Sequence, residues 1–473
     1  MPPRDIYLLS PRTLSAETIA VTFAKTSRSP QSFREIAAEL TDEQSAQFHE
    51  KWVVGYGHAS VAEHAVLHMA FENVSRLAIE CIESNRLASY TEKSTRYQKW
   101  NPTGYFTPPA IAASRHAELY ERTCSRLFEV YQQSLGPLRA WVETQFPRKE
   151  GESAAKYDGR IRSKYVDNCR FLLPAAALAN VGMTANARVF ESAIRKMLSH
   201  PLAEVREIGE AVKRVALGET PTLVKYAERV EYLADLTAKD RFTRRTTEER
   251  ESSSDWLTLV HFDRDAESKF LAACLYRFGN MPFAGALAAV GQLDAAGREA
   301  LAAEALGALG LYDVPLRELE HVTYTFDAWM DQGAYFEVKR HRMMTQTPQR
   351  LTADLGWATP AAFEAAGSRD EYEGAMQAAA EAYRALSADF PEEASYVIPN
   401  GFNRRLLMTL NLRETFAFCE LRTAPNAHFS VRRIAARMYE ILRETHPLLA
   451  RFMRCGDRPS AEAIEREYFV GIK

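Results

Sequence analysis

An approximate internal repeat is the feature of this 473-residue chain that most restricts its fold. The pair Glu63 and His64 returns 257 residues later as Glu320 and His321. A second landmark, the arginine at position 86, returns 256 residues later at position 342. The spacing inside the two halves is therefore nearly the same. A repeat of this length predicts two similar domains, each about half of the chain.

The match continues through the second part of each half. Thr-Ala-Asn-Ala-Arg at 184–188 matches Thr-Leu-Asn-Leu-Arg at 409–413, and Arg206 matches Arg432, at offsets of 225 and 226. Since the offset is 256 further upstream, the first half has roughly 31 extra residues between positions 97 and 173. The charged run at 148–164 is typical of a surface excursion, and we expect it to form part of this insertion.

These offsets divide the chain into two repeats. We predict a first repeat at 1–238, with the insertion at about 140–165, and a second repeat at 255–473. The segment between them, 239–254, is almost free of apolar residues, which is typical of a solvated linker.

Composition restricts the class of protein. Hydrophobic residues make up 46% of the chain and charged residues 26%, the balance of a soluble globular protein. A net charge of −3 gives no reason to expect a nucleic-acid-binding surface. The six cysteines are scattered without a Cys-x-x-Cys pair, so neither a disulfide framework nor a metal site is expected. Neither a signal peptide nor an apolar run long enough for a membrane is present, which predicts a cytoplasmic protein.

The hydrophobic pattern predicts an α+β protein with mostly helical halves. Apolar residues at three- and four-residue spacing predict helices at 11–23 (after a short strand), 114–135, 201–215, 267–276, 369–386 and 429–444. Alternating β-branched and aromatic residues predict strands at 64–71 and 321–326. Short helices are expected at 75–82 and 334–339, just before the arginines at 86 and 342.

The motifs around these arginines resemble those of the flavin-dependent thymidylate synthase family, whose signature is Arg-His-Arg, seven residues, then Ser. In the first half, Gly-His-Ala-Ser at 57–60 and the Glu-His pair precede Arg-Leu-Ala-Ser-Tyr-Thr-Glu-Lys-Ser-Thr-Arg-Tyr at 86–97. In the second half, Arg-His-Arg itself stands at 340–342. The resemblance implies two tandem thymidylate synthase-like domains, helix-rich, each with a small antiparallel sheet.

The resemblance also implies a function. Members of the family are tetramers that hold FAD at subunit interfaces and convert dUMP to dTMP, with methylenetetrahydrofolate as carbon donor and NADPH as reductant. They use no cysteine nucleophile, so arginines supply the electrostatic stabilisation that a phosphate and an increasingly negative ring require. For this chain the resemblance implies the same partners and a homodimer that forms a pseudo-tetramer, without nucleic acid or membrane.

Site residues carried over from the family fall into three groups. Expected catalytic residues are Arg206, Arg342 and Arg432. Expected FAD ligands are His64, His321, Arg340, His341, Arg342 and Asn411. Expected substrate ligands are Arg86, Glu92, Ser94, Arg96, Arg188, Arg206, Arg413 and Arg432.

The two halves depart from the family pattern in complementary places. In the first half, Ser-Asn-Arg at 84–86 replaces Arg-His-Arg, while the nucleotide loop is kept. In the second half Arg-His-Arg is kept, but Pro348 and Arg350 replace the loop's glutamate and serine. Because a proline lacks the amide donor, a phosphate-binding backbone is not expected there.

This pattern suggests a composite site. In that hypothesis the second half supplies 340–342 and His321 toward the flavin, and the first half supplies Ser94 and Arg96 toward a nucleotide phosphate. Glu337 replaces a family glutamine, which leaves open a different anionic or nucleotide substrate.

Other interpretations of the same residues stay open. The basic triplet at 340–342 also fits a solvated helix end, and Ser94 and Arg96 fit a capped turn. A catalytically silent nucleotide-binding scaffold of the same fold is the third hypothesis.

Overall fold

The computed structural model describes residues 5–100, 104–238 and 256–472. The predicted linker at 239–254 lies outside the described residues. The chain forms two compact units: unit 1 with Met1–Ser94, Gly104–Arg115 and Ala176–Glu249, and unit 2 with Thr95–Thr103, His116–Ala175 and Arg250–Lys473. These are packing units, whereas the repeats are sequence units, and the repeat boundaries stay a prediction. Unit 2 contains residues 116–175, which the offsets assign to the first repeat.

Unit 1 is built on a three-stranded antiparallel sheet in the order β1-β3-β2. Alternate residues of β1 and β3, such as Leu67, Phe71, Val181 and Met183, are buried because successive side chains point to opposite faces. The strands are β1 (Val66–Ser75), β2 (Ala88–Glu92) and β3 (Leu178–Asn186). The helices are α1 (Ala16–Thr26), α2 (Phe33–Glu39), α3 (Asp42–Phe48), α4 (Arg76–Ile82), α5 (Pro109–Ala112), α8 (Ala187–Leu198), α9 (Ala203–Ala216) and α10 (Glu231–Ala238), with a π-helix at His49–Gly55 and a 3-10 helix at Ala59–His64.

Unit 2 is built on a four-stranded antiparallel sheet in the order β4-β5-β8-β6, with a separate β7-β9 pair. Its core includes Tyr324, Phe326, Met408 and Leu410, all essentially without solvent exposure. The strands are β4 (Leu257–Phe262), β5 (Thr323–Asp331), β6 (Thr345–Pro348), β7 (Ala358–Pro360), β8 (Asn403–Asn411) and β9 (Phe469–Ile472).

Some helices of unit 2 pack on this sheet, and others pack on neighbouring helices. They are α6 (Ala117–Gln145), α7 (Ala154–Cys169), α11 (Ala266–Phe278), α12 (Phe283–Gln292), α13 (Ala295–Leu306), α14 (Gln332–Val338), α15 (Ala361–Ala365), α16 (Arg369–Ser387), α17 (Leu412–Arg422), α18 (Phe429–Thr445), α19 (Pro447–Ala450) and α20 (Ala461–Tyr468), with 3-10 turns at Arg170–Leu172, Arg317–His321 and Glu393–Val397.

The element order repeats between the units. A 3-10 helix, a strand, a short helix and a strand occur as Ala59–His64, β1, α4 and β2, and again as Arg317–His321, β5, α14 and β6. A strand followed by two helices occurs as β3-α8-α9 and again as β8-α17-α18. The predicted α+β class, with two tandem domains that each contain a small antiparallel sheet, is confirmed.

The long predicted helices are present as α1, α6, α9, α11, α16 and α18, and the predicted strands as β1 and β5. The short strand expected before residue 11 is wrong, since the described residues from 5 to 10 form no strand. The stretch has the alternating apolar residues of a strand, but among the described residues it pairs with no sheet that would bury them. Ile6 and Leu8 are therefore 86% and 84% exposed. Its counterpart in the second repeat, β4, pairs with β5.

The insertion is a helix with a buried face. Helix α7 follows α6, whereas the described residues 388–402, which follow α16 in the second repeat, contain no α-helix. Ile161, Tyr165 and Val166 of α7 are fully buried. Within 148–164 Ile161 is the one buried residue, and the buried face of α7 lies mainly beyond that run, at 165–169, so the surface excursion stays a prediction.

Among the described residues, no helix combines the length and apolarity needed to cross a bilayer.

Candidate functional site

Unit 2 contains a cavity of about 540 Å³ lined by α6, α7, the start of α18 and the end of α20. Its wall carries four cationic side chains, two carboxylates and several aromatic rings and amides. The cations are Arg96, Arg160, Lys164 and Arg432, and the carboxylates are Asp167 and Glu467.

Aromatic rings give the cavity a flat, rigid wall. Phe171, Phe429 and Tyr468 form a continuous stack, with ring centroids 5.8 Å and 4.9 Å apart and interplanar angles of 3° and 8°. Phe429 and Tyr468 of this stack line the cavity, as does Trp141 from α6. Stacked rings hold one another in place, and planar ligands bind well against such surfaces.

Arg96 is held by the protein itself. Its Nε and Nη2 donate to the two carboxylate oxygens of Asp167 at 2.8 Å each, and its Nη1 donates to the carbonyl oxygen of Asn426 at 3.2 Å. Burial opposes the charge of Arg96, but these hydrogen bonds to Asp167 outweigh it and raise the pKa of the guanidinium. Burial raises the pKa of Asp167, and Arg96 acts against that rise. The pair is a fixed part of the cavity wall.

Arg160 is also held by a carboxylate. Its Nε and Nη2 donate to the two oxygens of Glu152 at 2.8 Å and 2.7 Å, and hydrogen bonding to Arg160 lowers the pKa of Glu152 to about 2. Two of the four cavity cations, Arg96 and Arg160, are therefore each neutralised by a carboxylate of the protein.

The other two cations lack a carboxylate partner of this kind. The Lys164 ammonium lies 4.0 Å from the ring centroid of Phe146, and no ion pair to it occurs among the described residues. Arg432 is only 9% exposed, and its Nε has no hydrogen-bond partner within the described part of the chain. Its guanidinium carbon lies 5.9 Å from the centroid of Tyr468. A buried donor without a partner costs free energy until a ligand or water accepts its hydrogen bond.

A second charged cluster in unit 2 is centred on Glu337. Arg422 donates to it at 2.8 Å, and Arg170 lies 3.6 Å away. Burial would raise the pKa of Glu337, but the fields of Arg170, Arg340, Arg422 and Arg96 outweigh burial and lower that pKa to about 2. Arg96 thus links the electrostatics of this cluster with those of the cavity.

His341 is locked into the same cluster. Its Nδ1 lies 2.9 Å from Oε1 of Glu414, and its Nε2 accepts a hydrogen bond from Nε of Arg422 at 3.0 Å. Because Nε2 accepts, the ring is neutral with its proton on Nδ1, and burial lowers the pKa of His341. Both ring nitrogens are engaged with protein, so His341 acts as a support for neighbouring groups.

Comparison with known proteins identifies the family. The family model described as thymidylate synthase complementing protein matches residues 9–222 and 311–448, which is more than half of the chain. The chain belongs to the flavin-dependent thymidylate synthase family.

The chain is similar to UPF0159 proteins over most of its length and to flavin-dependent thymidylate synthases over about half of it. A UPF0159 protein of Chlamydia muridarum is 33% identical over 436 residues, covering 89% of this chain and 82% of the relative. The flavin-dependent thymidylate synthase of Clostridium tetani is 25% identical over 218 residues, covering 46% of this chain and 83% of that enzyme. A crystal structure of the flavin-dependent thymidylate synthase of Helicobacter pylori with FAD and dUMP is 18% identical, with a TM-score of 0.31, and covers 42% of this chain and 99% of that one.

Of the family residues carried over from sequence, Arg96 and Arg432 line the same cavity. Arg340 and His341 lie around Glu337, and Arg342 follows them, partly exposed. His321 is exposed at the end of its 3-10 helix.

The family residues in unit 1 take part in local contacts. Glu92 forms a buried ion pair with Arg76, and Arg206 donates to the carbonyl oxygen of His200 at 2.8 Å. His64 packs on Phe23 with ring centroids 4.8 Å apart. Arg86 is exposed in the turn before β2, and Ser94 is partly exposed after it.

Two recurring family motifs form the same contact in both units. Arg188 pairs with Glu63 in unit 1, and Arg413 pairs with Glu320 at 2.7 Å in unit 2. The asparagine two residues before each arginine, at 186 and 411, caps its helix by accepting a backbone hydrogen bond. A capped helix and an ion pair to the Glu-His turn give these motifs a structural explanation.

Sequence analysis missed the contribution of α7 to the cavity. Arg160, Ser163, Lys164 and Asp167 all line it. Their spacing of three and four residues places them on one helix face, and this spacing was visible in the sequence. The signal was lost because the segment was treated as a surface excursion.

Proposed function

We propose that this chain is a flavin-dependent enzyme that binds dUMP, or a related uracil nucleotide, in the unit 2 cavity and methylates it reductively. The supporting observation is that Arg96, from the first repeat, and Arg432, from the second, line one cavity of about 540 Å³ with an aromatic stack. This volume lies within the range of about 300–1,000 Å³ that is common for small-molecule sites. Family membership and the name of the Clostridium tetani relative support the same chemistry.

The wall groups suit a uracil nucleotide. A pyrimidine ring suits the Tyr468 ring, which ends the stack and lines the cavity, and its carbonyl and imide groups suit the Asn168 and Asn426 side chains. Cationic side chains suit its phosphate. Arg432 is the guanidinium best placed to meet the ligand, since its Nε is buried without a partner in the described residues.

FAD is the cofactor in this proposal. Arg340 and Arg342 are the cofactor ligands of the second repeat, because guanidinium groups bind diphosphates well and both residues retain exposed surface. His341, held by Glu414 and Arg422, keeps the turn between them in place. Bound reduced flavin supplies the hydride, methylenetetrahydrofolate supplies the carbon, and NADPH regenerates the reductant. A homodimer that forms a pseudo-tetramer is the proposed assembly.

The surroundings of Glu337 support the choice of a uracil nucleotide. Glu337 replaces a family glutamine, and an uncompensated carboxylate would repel an anionic ligand. Glu337 is instead buried and surrounded by Arg170 and Arg422, so its charge is matched within the protein. A different nucleotide substrate and a silent nucleotide-binding scaffold are the two outcomes against which the proposal is tested.

The test uses the purified full-length chain. We expect flavin absorbance, a change of that spectrum on addition of dUMP, and dTMP formation when methylenetetrahydrofolate and NADPH are supplied. Flavin without any response to dUMP would exclude the uracil nucleotide, and a protein that takes up no flavin would favour the scaffold.

Arg432→Ala is expected to weaken dUMP binding about 10- to 100-fold, since a hydrogen bond to a charged group contributes about 1.5–3 kcal/mol. Isothermal titration calorimetry measures this affinity. Arg443→Ala is the matched control, because Arg443 lies on the same helix, is exposed and is not among the cavity residues. Equal affinities for the two variants would contradict the placement of dUMP in this cavity.

A further inference from the structure

We propose that Lys164, supplied by the inserted helix α7, forms with Arg432 the subsite that binds the phosphate of the ligand. The identity of the ligand rests on the proposed function, but the subsite is testable with inorganic anions alone. The inserted helix then contributes to the binding site, and the described residues after α16 in the second repeat contain no equivalent helix.

Two of the four cavity cations already have a carboxylate partner. A bound phosphate needs positive charge that is not already matched by a carboxylate. Arg96 has both Asp167 oxygens and Arg160 has both Glu152 oxygens as partners, so the charge of each guanidinium is already matched and its Nε and Nη2 are engaged.

The two remaining cavity cations are Lys164 and Arg432. No carboxylate pairs with Lys164 or Arg432 in the described residues, and both line the cavity. Burial of Arg432 to 9% exposure with an unpartnered Nε marks a donor that requires an acceptor. Both groups line the same cavity, and the positive charge of Arg432 helps to lower the pKa of Lys164, as expected for two cations that face one space.

An aromatic ring holds Lys164 in place. Its side chain runs along the ring of Phe146, with the ammonium 4.0 Å from the centroid. A cation–π contact orients the ammonium without neutralising it, whereas a carboxylate partner would do both. The ammonium therefore keeps its capacity to donate to an anion.

Isothermal titration calorimetry with dUMP, deoxyuridine and inorganic pyrophosphate tests the subsite. Lys164→Met is expected to weaken dUMP and pyrophosphate binding about 10-fold or more and to leave deoxyuridine binding unchanged, because only the phosphate contact is removed. Lys164→Arg is expected to restore most of the affinity. Lys156→Met, an exposed lysine of the same helix, is the matched control, and thermal unfolding checks that each variant is folded.

The outcomes separate this inference from the proposed function. If dUMP binds but Lys164→Met does not weaken it relative to Lys156→Met, the subsite is wrong and the function stands. If the wild-type protein binds pyrophosphate in a Lys164-dependent way but not dUMP, the subsite stands and the uracil nucleotide is excluded. If the wild-type protein binds neither anion, the subsite is wrong.

The pH dependence of anion binding gives a second readout. Burial lowers the pKa of Lys164, Arg160 and Arg432 lower it further, and Asp167 and Glu467 oppose them. The ammonium carries its charge below its pKa, so pyrophosphate affinity is expected to fall with rising pH earlier than for an ordinary lysine. Tyr468 does not cause this fall, because burial raises its pKa. In Lys164→Arg the fall is expected to move to higher pH, and an unchanged pH profile would contradict the assignment.

Discussion

Replacement of Glu337 by glutamine is expected to destabilise the folded chain by about 3–5 kcal/mol, the usual cost of removing one partner from a buried ionic cluster. Glu337 accepts a hydrogen bond from Arg422 at 2.8 Å and faces Arg170 at 3.6 Å, and the side chains of Glu337 and Arg170 are 8% and 3% exposed. Without the carboxylate, two buried guanidinium groups lose their counter-charge. Thermal and urea unfolding measure the effect.

Glu364→Gln is the matched control for this substitution. Glu364 forms an ion pair with Arg369 on the surface, where both side chains are substantially exposed. Such pairs contribute at most about 1 kcal/mol. If the two variants unfold alike, the cluster around Glu337 does not stabilise unit 2 in the way that its burial implies.

The same cluster predicts how stability changes with pH. The pKa of Glu337 is lowered from 4.5 to about 2 in the folded chain. A carboxyl group with a lowered pKa stabilises the fold above its unfolded value, and this contribution is lost as pH falls toward the folded value. The contribution is about 3 kcal/mol for a shift of this size. Glu337→Gln is therefore expected to flatten the loss of stability between about pH 4.5 and pH 2.

Local patterns in the sequence were sufficient to predict the repeated architecture. The two halves provide an internal comparison, so matched landmarks such as Asn186 and Asn411 predict matched elements. Helical spacing identified α16 and α18 because each buries one continuous apolar face. The strand expected before residue 11 was wrong because pairing, which the residues themselves do not encode, decides whether an alternating segment becomes a strand.

The composition of the site depended on tertiary contacts. Glu337 looked like an unfavourable neighbour for an anion because Arg170 is 167 positions away in the sequence, and only the folded chain brings them together. His341 looked like a flavin ligand because its partners Glu414 and Arg422 are 73 and 81 positions away in the sequence. Motifs do not show which charged residues, remote in sequence, neutralise one another in the folded chain. The motifs alone were enough to name Arg96 and Arg432 as candidate ligands.

A buried serine–carboxylate hydrogen bond occurs in both units, but the two residue types stand at opposite positions. In unit 1, Ser75 caps α4 and donates through its backbone N–H and its hydroxyl to Glu204, at 2.8 Å and 2.6 Å. In unit 2, Asp331 caps α14 and accepts a hydrogen bond from the hydroxyl of Ser430. Serine and carboxylate have exchanged places at equivalent positions, and all four residues are buried.

This exchange predicts strong coupling between Asp331 and Ser430. Ser430→Glu alone places a second buried carboxylate beside Asp331 and is expected to cost about 3–5 kcal/mol. Asp331→Ser alone loses a charged hydrogen-bond acceptor and is expected to cost about 1.5–3 kcal/mol. The double variant reproduces the arrangement of unit 1, so it is expected to be at least about 2 kcal/mol more stable than the sum of the single costs predicts.

A double-mutant cycle followed by thermal unfolding measures this coupling, with the mirrored cycle Ser75→Asp and Glu204→Ser in unit 1. Coupling of similar size in both units means that one serine and one carboxylate are required for the helix cap to be satisfied, whichever residue carries each group. Additive costs in either unit would mean that the exchanged pair does not compensate, and that the two caps are stabilised by their surroundings independently. If one donor and one charged acceptor are the whole requirement, the repeats can diverge in residue identity at this position and still keep the same start of the helix, as α4 and α14 do.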